Sequence, residues 1–421
     1  MLKRYCSIKI GLLASGMILF FLASQVFAQG NIHFGRFNVE PWITYKGEYN
    51  DNIYFAQDDE EDDYINTVTP GIGLSYIGGT PGNFFNIGYS VNLVAYSGNS
   101  DNNYQAHKPY IAMGIKTPVG LYLRANDNFL HTKDPYGTAN QYNIGDKTER
   151  WNNAAEAVAG YDFFERYKLE LMYKNYAERF DLRADEWQDR TDDIFGVSFF
   201  VKLTGKTSVF VQYRQTKAEY DSQNDGVYDK NYNRSWSSST SQDYNLHDYF
   251  VGARFEPGGK LSGEIKLGYG DKKFDNKKDI NDRDYEDDSS WLAETTVSYQ
   301  LKKRTLLSLN LQRSQKGSPD VDASSYIDTL VGLSLNQDLV NRFSLNLGVE
   351  WADNDYLNES PGKSIKYFNI YTGKGSLYYK IQDWLKAGLT YEYKSKKASN
   401  SDYKDLEYNT NILSVSLSAV F

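Results

Sequence analysis

The chain reads as all-β, an antiparallel transmembrane outer-membrane β-barrel of about eighteen strands, and three observations predict it. Short segments of strict two-residue alternation recur from about residue 37 to the end. Tight turns and long charged connections alternate between those segments without a break. The last segment, "ILSVSLSAVF" from Ile412 to Phe421, stops on a bare aromatic residue, and a final strand of that kind must be tied down along a sheet.

The opening of the chain sets the compartment. Lys3 and Arg4 precede an apolar stretch, Ile8 to Phe21, and Val26-Phe27-Ala28 forms a small-residue cleavage site before Gln29. A signal peptide over 1–28 and a barrel domain over 29–421 are expected. An uncleaved anchor is the competing reading, although the apolar stretch is short for a span. The single cysteine, Cys6, lies ahead of that stretch, so the mature chain has no thiol for a disulfide or a metal.

The 46 basic and 55 acidic residues give a net charge of −9. Loss of Lys3, Arg4 and Lys9 leaves 43 against 55, a net charge of −12, which disfavours nucleic acid as a partner. Mean hydropathy is −0.62, and nothing after residue 28 approaches the ~18 apolar residues of a membrane helix. Only strands could put such a chain in a membrane. Its 36 Tyr, 22 Phe and 7 Trp suit aromatic belts better than a soluble core.

Taken in order, "NFFNIGYSVNLVAYS" is the clearest strand, with Phe85, Ile87, Tyr89, Val91, Leu93 and Ala95 on one face and Asn86, Gly88, Ser90 and Asn92 on the other. The same period carries Val119, Leu121 and Leu123; Phe195, Val197, Phe199 and Val201; Leu261, Ile265, Leu267 and Tyr269; and Thr295, Val297 and Tyr299. It continues through Leu307, Leu309 and Leu311; Phe343, Leu345, Leu347 and Val349; and Leu389, Tyr391 and Tyr393. Tight turns fall at 77–83, 116–120, 162–167, 203–208, 256–260, 301–305, 336–342 and 380–384. Long connections fall at 50–63, 97–103, 131–148, 181–191, 220–244, 271–289, 314–324, 353–366 and 395–405. Eight short and nine long connections imply about eighteen strands, with both termini on the periplasmic side. A soluble solenoid or propeller would share the alternation of apolar residues but not the alternation of loop lengths.

With the apolar parity toward lipid, the opposite parity faces a lumen. Its candidates are Trp42, Tyr122, Arg124, Glu156, Lys168, Glu170, Arg254, Glu264, Lys266, Glu294 and Glu350. Such a lining holds water, and about eighteen strands leave room for an aqueous channel. Charges of both signs mix, so no ion selectivity follows, and ion pairing within the lumen is the simpler role for each. Trp42, Tyr76, Trp151, Tyr161, Trp291, Trp351 and Trp384 are expected in interfacial girdles. Rings of lumen parity, Trp42 and Tyr122, could alternatively stack on sugars.

"QDDEEDDY", Gln57 to Tyr64, is dense in oxygen ligands but lacks the glycine and spacing of a calcium loop, so solvated charge is expected there. Of the four histidines His33, His107, His131 and His247, the middle two fall near the outer ends of neighbouring strands on the lipid parity. No serine or aspartate converges on them, so neither an enzyme nor a cofactor site is expected. Outer-membrane lipid, lipopolysaccharide and the barrel-assembly machinery are the expected partners, the last through Phe421 as assembly signal.

"GEYNDNIYFAQ", Gly47 to Gln57, followed by "DDYINTVTPGIGLSY", Asp62 to Tyr76, resembles the opening of the beta-barrel porin 2 family of outer-membrane barrels. The matching residues are Asn50, Asp51, Asn52, Ile53 and Tyr54, then Asp63, Ile65, Pro70 and Gly71. The resemblance implies a Gram-negative outer-membrane pore that exports exopolysaccharide, with polysaccharide and periplasmic export components as partners. It brings no catalytic residues. The simpler role for Asn50 to Tyr54 is a turn whose asparagines cap the backbone. A general diffusion porin for small hydrophilic solutes is the alternative function, and a barrel-mounted enzyme or adhesin a third.

Overall fold

The computed structural model describes residues 32–421 except 81, 134–147, 182–185, 221–241, 279–283, 319–322, 341 and 360–366. The expected signal peptide lies outside the described residues. A three-residue strand, β1 (Ile32–Phe34), turns at Gly35 and pairs with β2 (Phe37–Asn50). There follow β3 (Asp63–Ile77), β4 (Phe84–Tyr96), β5 (Tyr104–Lys116), β6 (Leu121–Lys133), β7 (Glu149–Phe163) and β8 (Tyr167–Phe180). Next come β9 (Arg190–Thr204), β10 (Thr207–Tyr220), β11 (Tyr244–Phe255), β12 (Leu261–Phe274), β13 (Asp288–Lys302) and β14 (Thr305–Gly317). The chain ends with β15 (Ala323–Asp338), β16 (Phe343–Glu359), β17 (Tyr367–Gln382), β18 (Leu385–Ala398) and β19 (Tyr408–Val420).

Each strand pairs antiparallel with the next, and β19 returns to β2, so β2 to β19 close an eighteen-stranded barrel. All seventeen connections overlap the segments the sequence assigns to them, but the β14–β15 connection, expected to be long, spans only 318–322 and is shorter than the six-residue β3–β4 turn. In the 117–120 turn, Gly120 has φ +93, and a β-carbon there would fall 2.6 Å from the Asp162 carbonyl oxygen, so only glycine fits.

Two further features depart from the sequence reading. The β1 hairpin is unanticipated, because three residues are too few to show a period. Strands also run further toward the long loops than expected: β16 continues to Glu359, whereas the polar run from 353 reads as loop. Asp353, Asn354 and Asp355 pair in register with Thr329, Asp328 and Ile327. Beyond the apolar belt the backbone ladder persists, but no alternation of hydrophobicity marks it.

The apolar parity faces outward. Phe195, Val211, Val251, Leu267 and Val349 are each more than half exposed, an arrangement that lipid, not water, makes favourable. Pro70 and Pro109 share this outward parity, and the β3–β4 and β5–β6 ladders skip 69–70 and 108–109, as a residue without an N–H requires.

The seam between β2 and β19 holds nine register pairs, from Ile412↔Asn50 to Val420↔Trp42, against fourteen for β2 and β3. Side chains extend it. At the long-loop end, Asn52 is fully buried. Its side-chain amide donates to the Ala56 (2.7 Å) and Asn409 (3.0 Å) carbonyls, and its side-chain oxygen accepts from the Ala56 N–H (2.9 Å). Asp51 accepts from both the backbone and side chain of Asn411 at 2.7 Å, and Thr410 donates to Asn50. The Phe55 ring meets Tyr408 at 4.8 Å. At the other end the Phe421 N–H donates to the Pro41 carbonyl (2.8 Å), and its ring stacks on Trp384 at 6.1 Å.

Each lost buried hydrogen bond costs about 1–3 kcal/mol. Asn52→Ala should therefore destabilise the barrel by about 2–4 kcal/mol, read as a lower guanidinium midpoint of the refolded protein in detergent, while Asp58→Ala in the exposed acidic run leaves the midpoint in place. Equal midpoints for wild type and Asn52→Ala would contradict this role.

Candidate functional site

The inner face is defined by contacts that skip strands. Arg254 on β11 reaches Glu170 on β8 at 3.0 Å, and Arg214 on β10 reaches Glu294 on β13 at 2.8 Å. Such reach exists only on the concave side of a curved wall. All eleven lumen candidates lie on this inner parity.

Eight of them and three further residues build one polar and ionic network on the wall from β6 to β13. Glu170 gathers Arg254, Lys168 (3.4 Å) and Arg124 (3.6 Å), and the Tyr122 hydroxyl donates to it. Arg254 pairs with Glu264 at 2.6 Å; Lys266 pairs with Glu294 at 2.6 Å and donates to Gln212 at 3.0 Å. Arg214 closes the chain on Asp248 at 2.7 Å. Asp248 is only 1% exposed, and a carboxylate so placed needs a partner. Sequence reasoning missed Arg214, Asp248 and Gln212, although their parity relative to Val211 and Tyr249 marks them as inward.

The remaining candidates stand apart from this network. Glu156 lies on β7 opposite Asn126 and Lys174. Glu350 is exposed on β16, with its carboxylate 3.8 Å from where a β-carbon on Gly332 would sit. Trp42 points inward, so its expected place in the outer girdle is corrected: its ring lies on Gly71. Trp384, also expected in the girdle, is in the β17–β18 turn against Phe421.

Trp42 on Gly71 belongs to a recurrent device. Phe84 lies on Gly114, Tyr110 on Gly88, Tyr122 on Gly160, Phe210 on Gly252, Phe250 on Gly268 and Tyr378 on Gly388. Each ring and its glycine are direct cross-strand partners. A β-carbon on any of these glycines would fall 2.1–2.8 Å from ring atoms, so the missing side chain lets the ring lie flat on the wall. Five rings occupy the half nearer the short turns; Tyr110 and Phe250 lie near mid-height. Cations cover some of them: Arg254 is 5.9 Å from Phe210, Lys266 is 4.8 Å from Phe250, and Lys386 is 3.9 Å from Tyr378.

The quoted motif is structural in this fold. Asn50, Asp51 and Asn52 cap the seam, and Ile53 and Ile65 pack with Val94 and Tyr96 beneath Tyr54. Asp58 to Asp62 are exposed, whereas buried Asp63 accepts from the N–H groups of Ser97 (3.1 Å), Gly98 (2.8 Å) and Asn99 (2.8 Å). His107 and His131 stack at 6.1 Å as an outward cross-strand pair. His131 Nε2 lies 3.5 Å from Glu149 and 3.8 Å from Asp181, a group able to hold a divalent cation outside the lumen.

A closed eighteen-strand barrel with apolar exterior and polar interior is an outer-membrane channel-type protein. The family described as Putative beta-barrel porin 2 matches residues 169–421, 253 of the 421 residues. The chain belongs to that family. The matched stretch does not include Asn50–Tyr54 or Pro70–Gly71, on which the sequence resemblance rests. No curated protein matches the chain. Similar solved structures include OccK1 (OpdK) of Pseudomonas aeruginosa, 10% identical over 91% of this chain and 99% of that one, with a TM-score of 0.46. The siderophore receptor PirA of Pseudomonas aeruginosa is 10% identical over 91% and 80%, with a TM-score of 0.41. A loop-deletion mutant of OmpT of Vibrio cholerae is 10% identical over 92% and 100%, with a TM-score of 0.34.

Removing one member of a buried ionic cluster costs about 3–5 kcal/mol, because its partners stay buried. Glu170→Gln should lower unfolding free energy by about that amount, and Glu170→Gln with Arg254→Met should recover part of it. A double variant as unstable as the sum of its single changes would contradict the network.

Proposed function

We propose that the protein is a channel for hydrophilic solutes across the outer membrane, and that its solute is a carbohydrate polymer leaving the cell. The observation that carries this reading is the set of inward rings laid flat on glycines. The C–H faces of a sugar ring are apolar and suit such platforms. Between the platforms, charges neutralise one another in pairs, which leaves little field to bind ions and many polar groups to meet hydroxyls. Conduction needs sites that attract weakly and repeatedly, and rings spread over neighbouring strands supply them. The ring-rich half lies at the short turns, the end a polymer leaving the periplasm meets first.

A diffusion porin for small hydrophilic solutes is the second reading. It is favoured by the packed wall from β8 to β13, where Lys168, Glu170 and Lys266 are buried and narrow the lumen from one side. The opposite wall is wetter: Lys46 and Lys374 are 42% and 53% exposed.

Single-channel recording in planar bilayers separates the two. A carbohydrate channel shows open current interrupted by neutral oligosaccharides, with block times that lengthen with chain length. Trp42→Ala combined with Tyr110→Ala shortens those blocks about tenfold, the effect of losing about 1.4 kcal/mol of stacking. Oligosaccharides that never block, with free permeation of small sugars in liposome swelling, would overturn export in favour of the porin.

A further inference from the structure

The inner wall carries a recess of about 430 Å³ between β9 and β14, toward the long-loop half. Its size falls within the roughly 300–1,000 Å³ of small-ligand sites. Four buried polar atoms on residues lining it have no hydrogen-bond partner among the described residues: Asp192 Oδ1, Asp248 Oδ1, Gln315 Oε1 and Arg190 Nε. Buried polar groups are ordinarily satisfied, so this concentration is informative. Two of the atoms converge, since a β-carbon on Gly270 would fall 2.8 Å from Gln315 Oε1 and 2.9 Å from Asp248 Oδ1. Leu292 Cδ1 lies 2.9 Å from the same point, so the glycine lets Gln315, Asp248 and Leu292 pack down on the strand, which sets the two acceptors side by side.

The chemistry of the four atoms selects a ligand. Three accept and one donates, so the occupant must offer several donors and one acceptor. A metal ion or polyamine would meet Arg190, Arg214 and Lys316 in the same recess, and an anion would meet Asp192, Asp248 and Glu294. Three positive and three negative groups leave a neutral occupant whose hydroxyls donate. Tyr244 adds an aromatic surface to the lining.

We infer that this recess is a sugar-binding subsite for one or two neutral, hydroxyl-rich rings, fixed to the wall beside the conducting path. The inference deepens the carbohydrate reading and rests on it. A docked sugar would donate hydroxyls to Asp192, Asp248 and Gln315 and accept from Arg190, so the bound unit is held by directed bonds instead of the face contacts that serve passage.

The test is isothermal titration calorimetry of the full mature protein in detergent with maltose, cellobiose and N,N′-diacetylchitobiose, and with spermidine and citrate as charged probes. At least one disaccharide should bind with one-to-one stoichiometry and more tightly than either charged probe. Gly270→Ala, whose methyl would push Gln315 and Asp248 out of place, and Gln315→Met, which removes the acceptor at nearly constant size, should each weaken that binding at least tenfold. Retained heat-modifiable migration in electrophoresis shows that both variants fold. Unchanged affinity in both, with oligosaccharide block of the current still sensitive to Trp42→Ala, would overturn the subsite and leave the carbohydrate channel standing. Tighter binding of spermidine or citrate would overturn the ligand class. Neither binding nor block of the wild type by any sugar would overturn both.

Discussion

In hydrocarbon an unpaired peptide group costs several kcal/mol, so a membrane-spanning sheet must close on itself. Here closure falls to β19 and β2, strands joined by side-chain contacts between residues as far as 374 positions apart in the chain. Every other neighbouring pair is adjacent in sequence and can zip from a turn; this pair meets only after the sheet has curled. The concentration of capping groups at the seam follows from that. Asn50, Asp51 and Asn52 continue the pairing past the last ladder residue, and the Phe421 N–H continues it at the opposite end.

Closure also divides the residues of each strand between two solvents. The outward set needs only to be apolar. The inward set is crowded where the wall curves, and the structure resolves the crowding in two ways. Between β6 and β13, charges interlock across two intervening strands. On that wall and beyond it, glycine opposite an aromatic ring lets the ring lie back against the sheet. Both devices thin the lining without making it hydrophobic, and they leave a lumen of paired charges, hydroxyls and ring faces. Such a surface suits the neutral, hydroxylated solute proposed above.

Much of this is legible in the sequence, for identifiable reasons. Strand count and loop order follow from a period of two and from loop length, which are local properties, and residues such as Leu267 and Val349 show their parity directly. Inward direction of Glu170, Arg254 and Lys266 follows from the same parity. Partner choice does not: that Arg254 meets Glu170 across two strands depends on wall curvature, which no local pattern encodes. Trp42 reads as a lumen residue by parity and as a belt residue by its nearness to a strand end, and its register opposite Gly71 decides for the lumen. Asn52 resembles any loop asparagine, and its role rests on Asn409, at the far end of the chain. The outer reaches of β16 lack alternation because water, not lipid, surrounds them.

The most direct test of the account is to weld the seam. Thr44 and Ser418 are register partners with hydroxyl oxygens 3.0 Å apart, and adjacent strands bring β-carbons within disulfide reach. The sequence holds no cysteine between residues 7 and 421. In a Thr44→Cys, Ser418→Cys variant, the account predicts spontaneous oxidation in the outer membrane and a heated, unreduced chain that migrates as a circle, faster than its reduced form. Two thiols that remain free and react with a maleimide in the folded protein would contradict the closed seam and the barrel built on it.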